Sequence, residues 1–224
     1  MDAAVIVAII ALAGTLGTAV FTYYLNETSE RREAAQKRDA VWARYQGSLA
    51  FAADELAQRI LNILGGNFLD AYGRGAQKDE AILSTLFRFA QYFGWSEILR
   101  QAMRAPDPRH AAEVKTLRDG QRRVGRCFAT DDPYGPGAFM VWSEAQRAIG
   151  ELMIKHDGEV TDTIGVADFW AEFEKFRPWL HRMQRLMETM TPDDWYGEVE
   201  RLADVQSALE SLSDKLGHES RYLE

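Results

Sequence analysis

The side chains best placed to do chemistry in this 224-residue chain are charged residues set among apolar ones. Arg88 stands between Phe87 and Phe89. Glu97 and Arg100 follow three residues apart, flanking Ile98 and Leu99. Glu144, Arg147 and Glu151 recur at i, i+3 and i+7, a spacing that puts them on one face of a helix. A charge withdrawn from water must be paired, or it costs about several kcal/mol. These residues therefore form either an internal ion-pair network that fixes helix register or a polar pocket between helices that binds a small charged ligand. A catalytic acid/base pair is the narrower third use. A second set is basic. Between Arg100 and Arg126 there are eight Lys/Arg against three Asp/Glu, with Arg118, Arg122, Arg123 and Arg126 at its centre. That segment is either a solvated face or a contact for anionic lipid or a phosphate-bearing ligand.

Other chemistries find little support. The four histidines, His110, His156, His181 and His218, are far apart and no pair has a ligand spacing, so no metal is expected. Glu-x-x-His pairs of the helical di-iron kind are absent. No nucleophile elbow occurs. The single cysteine, Cys127, lies between Arg126 and Phe128 and reads as a small core residue; one cysteine also excludes an intramolecular disulfide. Gly65-Gly66 and Gly73-x-Gly75 lack the lysine and the strand of a phosphate loop. Arg104 and His110 have the spacing of helical ribonucleases, but Pro106 and Pro108 between them deny a shared helical face. No cofactor is expected. A net charge of −8 argues against a nucleic-acid coat.

The elements that must position these residues are helices. Trp42, Tyr45, Leu49, Ala52 or Ala53, Leu56, Ile60 and Ile63 form one apolar stripe, stopped by Gly65-Gly66. Asn67–Asp79 reads as loop, with room for one short turn. Glu80–Met103 is apolar on more than one face and belongs at the centre of a bundle. Gly94 in its middle costs about 1 kcal/mol unless a neighbour comes close there. After the break at Pro106-Asp107-Pro108, helices are expected over Arg109–Phe128 and Phe139–Lys155. The latter turns Val141, Ala145, Ala148, Ile149, Leu152 and Met153 inward. Ala129–Gly137 and Asp157–Gly165 read as loops. Ala167–Phe176 and Pro178–Met190 form a helix pair, or one helix kinked at Pro178. Thr191, Pro192 and the acids after them open a last helix that Gly217 should end near Leu216. That C-terminal region, Glu188–Glu224, carries ten acids and three bases. Strand patterns are nearly absent.

Ahead of all this lies Ala3–Leu25, 23 residues without a charge. As a helix it would be about 34 Å long, against a hydrocarbon core of about 30 Å. It is too long for a signal peptide and has no basic residue before it. Arg31, Arg32, Lys37, Arg38 and Arg44 follow it, which places the N-terminus outside and the body in the cytoplasm, at the inner (plasma) membrane. Ala4/Ala8, Ala13/Gly17 and Gly14/Thr18 give small-residue spacings through which two such helices could pair into a homo-oligomer.

Three groups of residues recur in a familiar order. The first is Ala53-Asp54-Glu55-Leu56 with Arg59 to Leu64. The second is Phe89-Ala90-Gln91-Tyr92-Phe93-Gly94-Trp95 with Glu97 to Arg100. The third is Phe128-Ala129-Thr130-Asp131 with Gln146 to Glu151. Over roughly residues 40–215 the chain resembles a family of uncharacterised bacterial membrane-anchored helical proteins. The resemblance implies a helical fold in a membrane setting and transfers no activity.

The expected architecture is all-α: a transmembrane anchor (1–25), a juxtamembrane helical stalk (26–39) and a cytoplasmic bundle of about six helices (40–224). The leading functional reading is a membrane-anchored interaction or regulatory module without catalysis. It requires the Glu/Arg set to be closed by pairing. The alternatives are a tethered enzyme or small-ligand receptor, which requires an open pocket shared by at least three of that set, and an effector that engages anionic lipid through 100–126.

Overall fold

A computed structural model of the chain describes residues 32, 35–37, 39–65, 68–72, 75–104, 110–158, 160–189 and 192–220. Two compact units divide it, Met1–Arg44 and Tyr45–Glu224. The described residues of the first unit are helical. The expected span Ala3–Leu25, with its small-residue pairs, lies outside the described residues, as does most of the stalk. Among the described residues no helix is long and apolar enough to cross a membrane.

Among its described residues the second unit is all-α apart from one hairpin. Its elements are α1 (45–64), α2 (Phe68–Tyr72), α3 (Lys78–Ala102), α4 (Ala111–Ala129), α5 (Ser143–Met153), β1 (Ile154–Asp157), β2 (Val160–Thr163), α6 (Val166–Ala171), α7 (Phe173–Thr189) and α8 (Pro192–Ser220). The expected stripe holds α1 in place: Leu49, Ala52, Ala53, Leu56, Ile60 and Ile63 are all buried. Arg59 ties α1 to α3 through the hydroxyls of Ser84 and Thr85, at 3.2 and 3.1 Å. Ser213 of α8 donates to the carbonyl of Ala50, at 3.2 Å.

Helix α3 is the centre, as its all-round apolar pattern demands. Phe89 meets the rings of Phe128 and Phe139, and Phe93 meets Phe128, at centroid distances of 5.3–5.9 Å. Burying one such ring stabilises the fold by roughly 1.5–3 kcal/mol. Its largest contact is with α5, and glycines set the closeness. A Cβ on Gly94 would stand 2.8 Å from both Met153 Cβ and Thr163 Cγ2. One on Gly150 would stand 2.6 Å from the carbonyl oxygen of Phe93 and 2.7 Å from Glu97 Cβ. The close neighbour that could excuse Gly94 is therefore present. Elsewhere α4 packs chiefly on α8, and α7 on α3 and α5.

Four local expectations are corrected. The 157–165 loop is half of an antiparallel hairpin, with Ile154 opposite Thr163 and Asp157 opposite Val160. Its turn uses Gly158 at φ 60°, where a Cβ would be strained. Helix α5 starts at Ser143, because Phe139 enters the core from a turn and Val141 from the non-helical chain after it, with Val141 N–H bound by the Phe128 carbonyl at 2.9 Å. The break between α6 and α7 falls at Glu172, with Pro178 inside α7. That break lets the Phe169 ring reach both Phe173 and Phe176, at 5.7 and 4.7 Å. Pro178 is exposed, so the carbonyl it leaves without a helical donor can be hydrated. Helix α8 runs through Gly217 to Ser220, held by buried Leu212 and Leu216.

Candidate functional site: an arginine-lined cavity between three helices

The α3–α5 crossing leaves a wedge that α4 closes on one side. It holds a cavity of about 600 Å³. Helix α3 contributes Tyr92, Phe93, Ser96, Glu97 and Arg100, followed by Met103 and Arg104. Helix α4 contributes Arg118, Gln121, Arg122, Gly125 and Arg126, and α5 contributes Ser143, Gln146 and Arg147. Two glutamines cross-tie the walls. Gln121 Nε2 donates to the carbonyl of Ser96 at 3.1 Å, joining α4 to α3. Gln146 Nε2 donates to the carbonyls of Gly125 and Val141 at 2.9 and 2.8 Å, joining α5 to α4. The floor is apolar, with Tyr92, Phe93 and Met103 each 2% exposed. Burial, partly offset by Ser96, holds the Tyr92 phenol well above its usual range, so it stays neutral.

Among the described residues the cavity wall has one carboxylate. Glu97 is 3% exposed and accepts three hydrogen bonds: from Arg100 Nε and Nη2, each at 2.5 Å, and from Gln101 Nε2 at 2.8 Å. Burial alone would raise its pKa. The bonds from Arg100 and Gln101 and the charges of Arg100 and Arg104 outweigh that and hold it below the usual carboxylate range. Arg100 is raised in turn, first by its bonds to Glu97. Such bidentate pairing fixes the guanidinium plane.

Arg118 Nη2 donates to the carbonyl of Met103 at the end of α3, 2.7 Å away. Arg122 makes a loose contact with Asp119 at 3.7 Å, both largely exposed. Arg104, Arg126 and Arg147 form no ion pair with a described residue. Among the described residues six arginines thus face the cavity against the carboxylate of Glu97, a formal charge of +5.

The two residue sets read from the sequence meet here in part. Glu97, Arg100 and Arg147 of the first share the cavity with Arg118, Arg122 and Arg126 of the second. Arg88 is elsewhere, paired with Glu55 of α1. Glu144, Glu151 and Arg123 are exposed and do not line the cavity, although the charge of Glu151 is felt at Arg100. No ion pair joins Glu144, Arg147 and Glu151 among the described residues, so α5 carries no internal network. Sequence reading missed the framing roles of Gln121 and Gln146. Their only signal was a polar amide on an otherwise apolar helix face.

A second buried charge was also missed. Arg201 of α8 is fully buried inside the acidic C-terminal region. Its guanidinium donates to the carbonyls of Cys127, Thr130 and Gly135, at 3.0, 2.6 and 2.6 Å, and stands 3.5 Å from Glu198. Glu198 Oε1 accepts the Phe139 N–H at 3.2 Å. This pair fastens the end of α4 and the loop after it, a structural task. Cys127 sits beside it with its thiol pushed up by burial and by Asp204, against Arg123 and Arg126; it is not an activated nucleophile. His110 pairs with Glu113 at 2.8 Å, and residues 105–109 before it are outside the described residues. Among the described residues no three His, Cys, Asp or Glu side chains converge to hold a metal ion.

No protein family, curated protein or solved structure matches the chain.

Proposed function

We propose that the chain is a membrane-anchored receptor module whose helical domain binds a small anionic ligand between α3, α4 and α5. The observation that carries this reading is the cavity itself. Glu97, Arg100 and Arg147 of the Glu/Arg set line it: Glu97 and Arg100 pair with each other, Arg147 forms no ion pair with a described residue, and three further arginines of α4 join them. Arginine keeps its charge at any physiological pH and presents a planar fork of donors, which suits carboxylate and phosphate groups. A volume of about 600 Å³ lies within the usual range of small-molecule sites. Glu97 is committed to three hydrogen bonds, so its task is to hold Arg100 and not to move protons. The module is therefore read as non-catalytic, a sensor that reports ligand to a partner.

The setting is part of the same proposal. Ala3–Leu25 is taken as a single span with the N-terminus outside, and the basic flank as the cytoplasmic side. Calorimetric titration of the full chain in detergent micelles with phosphates, sulfate and carboxylates tests the site. Saturable binding of at least one anion is expected, weakened about tenfold or more when Arg126 and Arg147 are both changed to Gln. Absence of binding by every anion, or equal binding by the double variant, rejects it.

A further inference from the structure

Resting on that reading, we infer that the ligand is an elongated molecule carrying two or more clustered phosphate groups. The first reason is the shape of the charge. Arg118, Arg122 and Arg126 stand one per turn on α4, about 12 Å from first to last. Arg100 and Arg104 face them from α3 and its end, and Arg147 from α5. A single tetrahedral anion cannot reach both ends of such a row. A chain of phosphates, or a ring bearing several, can touch it along its length.

The second reason is the amount of charge. The described residues of the cavity carry a formal +5. A carboxylate brings one negative charge per group, whereas a phosphate monoester brings roughly 1.5 to 2 at neutral pH. Two or three phosphates balance the cavity within its volume; the same number of carboxylates leaves it strongly positive. The third reason is the residue type. Every cation lining the cavity among the described residues is arginine, although α4 also carries Lys115, which does not line it. Arginine gives two parallel donors to two oxygens of one group, where lysine gives a point charge. Glu97 then acts as a positioning residue. It fixes the Arg100 fork facing the row from α3, while Arg104, Arg126 and Arg147 keep their donors for the ligand.

Clustered phosphate has two sources near a membrane, a soluble polyphosphorylated metabolite or a multiply phosphorylated lipid headgroup. The experiment separates class from source. The full chain in phosphatidylcholine nanodiscs is titrated with inorganic orthophosphate, inorganic triphosphate and citrate. Triphosphate should bind on the order of tenfold or more tighter than either of the others. Changing Arg122 and Arg126 to Gln, both on the exposed side of α4, should remove that advantage without changing the thermal midpoint of the free protein. Citrate binding as tightly as triphosphate overturns the phosphate assignment while leaving an anion site in place. Orthophosphate binding as tightly overturns the elongated ligand. If none of the three binds, the cavity reading fails with it. Repeating the triphosphate titration with phosphatidylinositol bisphosphate in the disc identifies the source. Loss of apparent affinity by competition marks the headgroup as ligand, and unchanged affinity marks a soluble one; both support clustered phosphate.

Discussion

Glu97 shows how much one buried carboxylate can organise. Its hydrogen bonds from Arg100 and Gln101 stabilise the charged form, and their net effect lowers its pKa. A carboxylate depressed on folding adds stability above the unfolded-state pKa and loses it as pH falls through the folded value. Glu97→Gln should therefore destabilise the domain by about 1–2 kcal/mol at neutral pH, toward the low end because Arg100 is about one third exposed. The difference from wild type should shrink to nothing in acid. Denaturant unfolding of both proteins across the acidic range checks the sign; a difference that grows toward low pH contradicts it. The pairing itself was legible from the i, i+3 spacing. The openness of Arg147 was not, because exposure depends on which neighbours arrive, and spacing along one helix does not say.

At the scale of elements, the site exists because α3 and α5 touch. Gly150 lets the Phe93 carbonyl and Glu97 approach, so a methyl there has nowhere to go. Gly150→Ala should destabilise by about 1–3 kcal/mol despite the better helix propensity of alanine. Gly217, inside α8 with open space around its Cα, should respond oppositely and gain up to about 1 kcal/mol as alanine. Thermal unfolding of the two variants decides; equal effects would remove the packing account of the crossing. The helix order was readable because α1, α4 and α7 each carry a long apolar stripe and α3 is apolar nearly all round. The hairpin was not, since four-residue strands give too little alternation, although Asp157-Gly158 followed by Val160, Thr161 and Thr163 held its turn signal. The Pro178 break failed because a proline on the solvent side costs little, while aromatic packing of Phe169 decided where the chain bends.

At the scale of the whole molecule, two long-range pairs of features were never adjacent in sequence. Residues 100–126 and 143–147 combine into one cavity, and Arg201 reaches back to the end of α4 across more than seventy residues. Uneven charge along the chain pointed to the basic wall and gave no sign of the buried arginine within the acidic region. The membrane setting is testable separately. A reporter fused after Glu224 should be active on the cytoplasmic side; activity outside would invert the orientation. The central claim is that the arginines of α3, α4 and α5 face one ligand. Phenylglyoxal footprinting of the full chain, read by mass spectrometry with and without inorganic triphosphate, addresses it most directly. Arg104, Arg126 and Arg147 should be protected together by triphosphate, while Arg177 on α7 reacts at the same rate in both. Equal modification of all four with and without triphosphate would contradict the account.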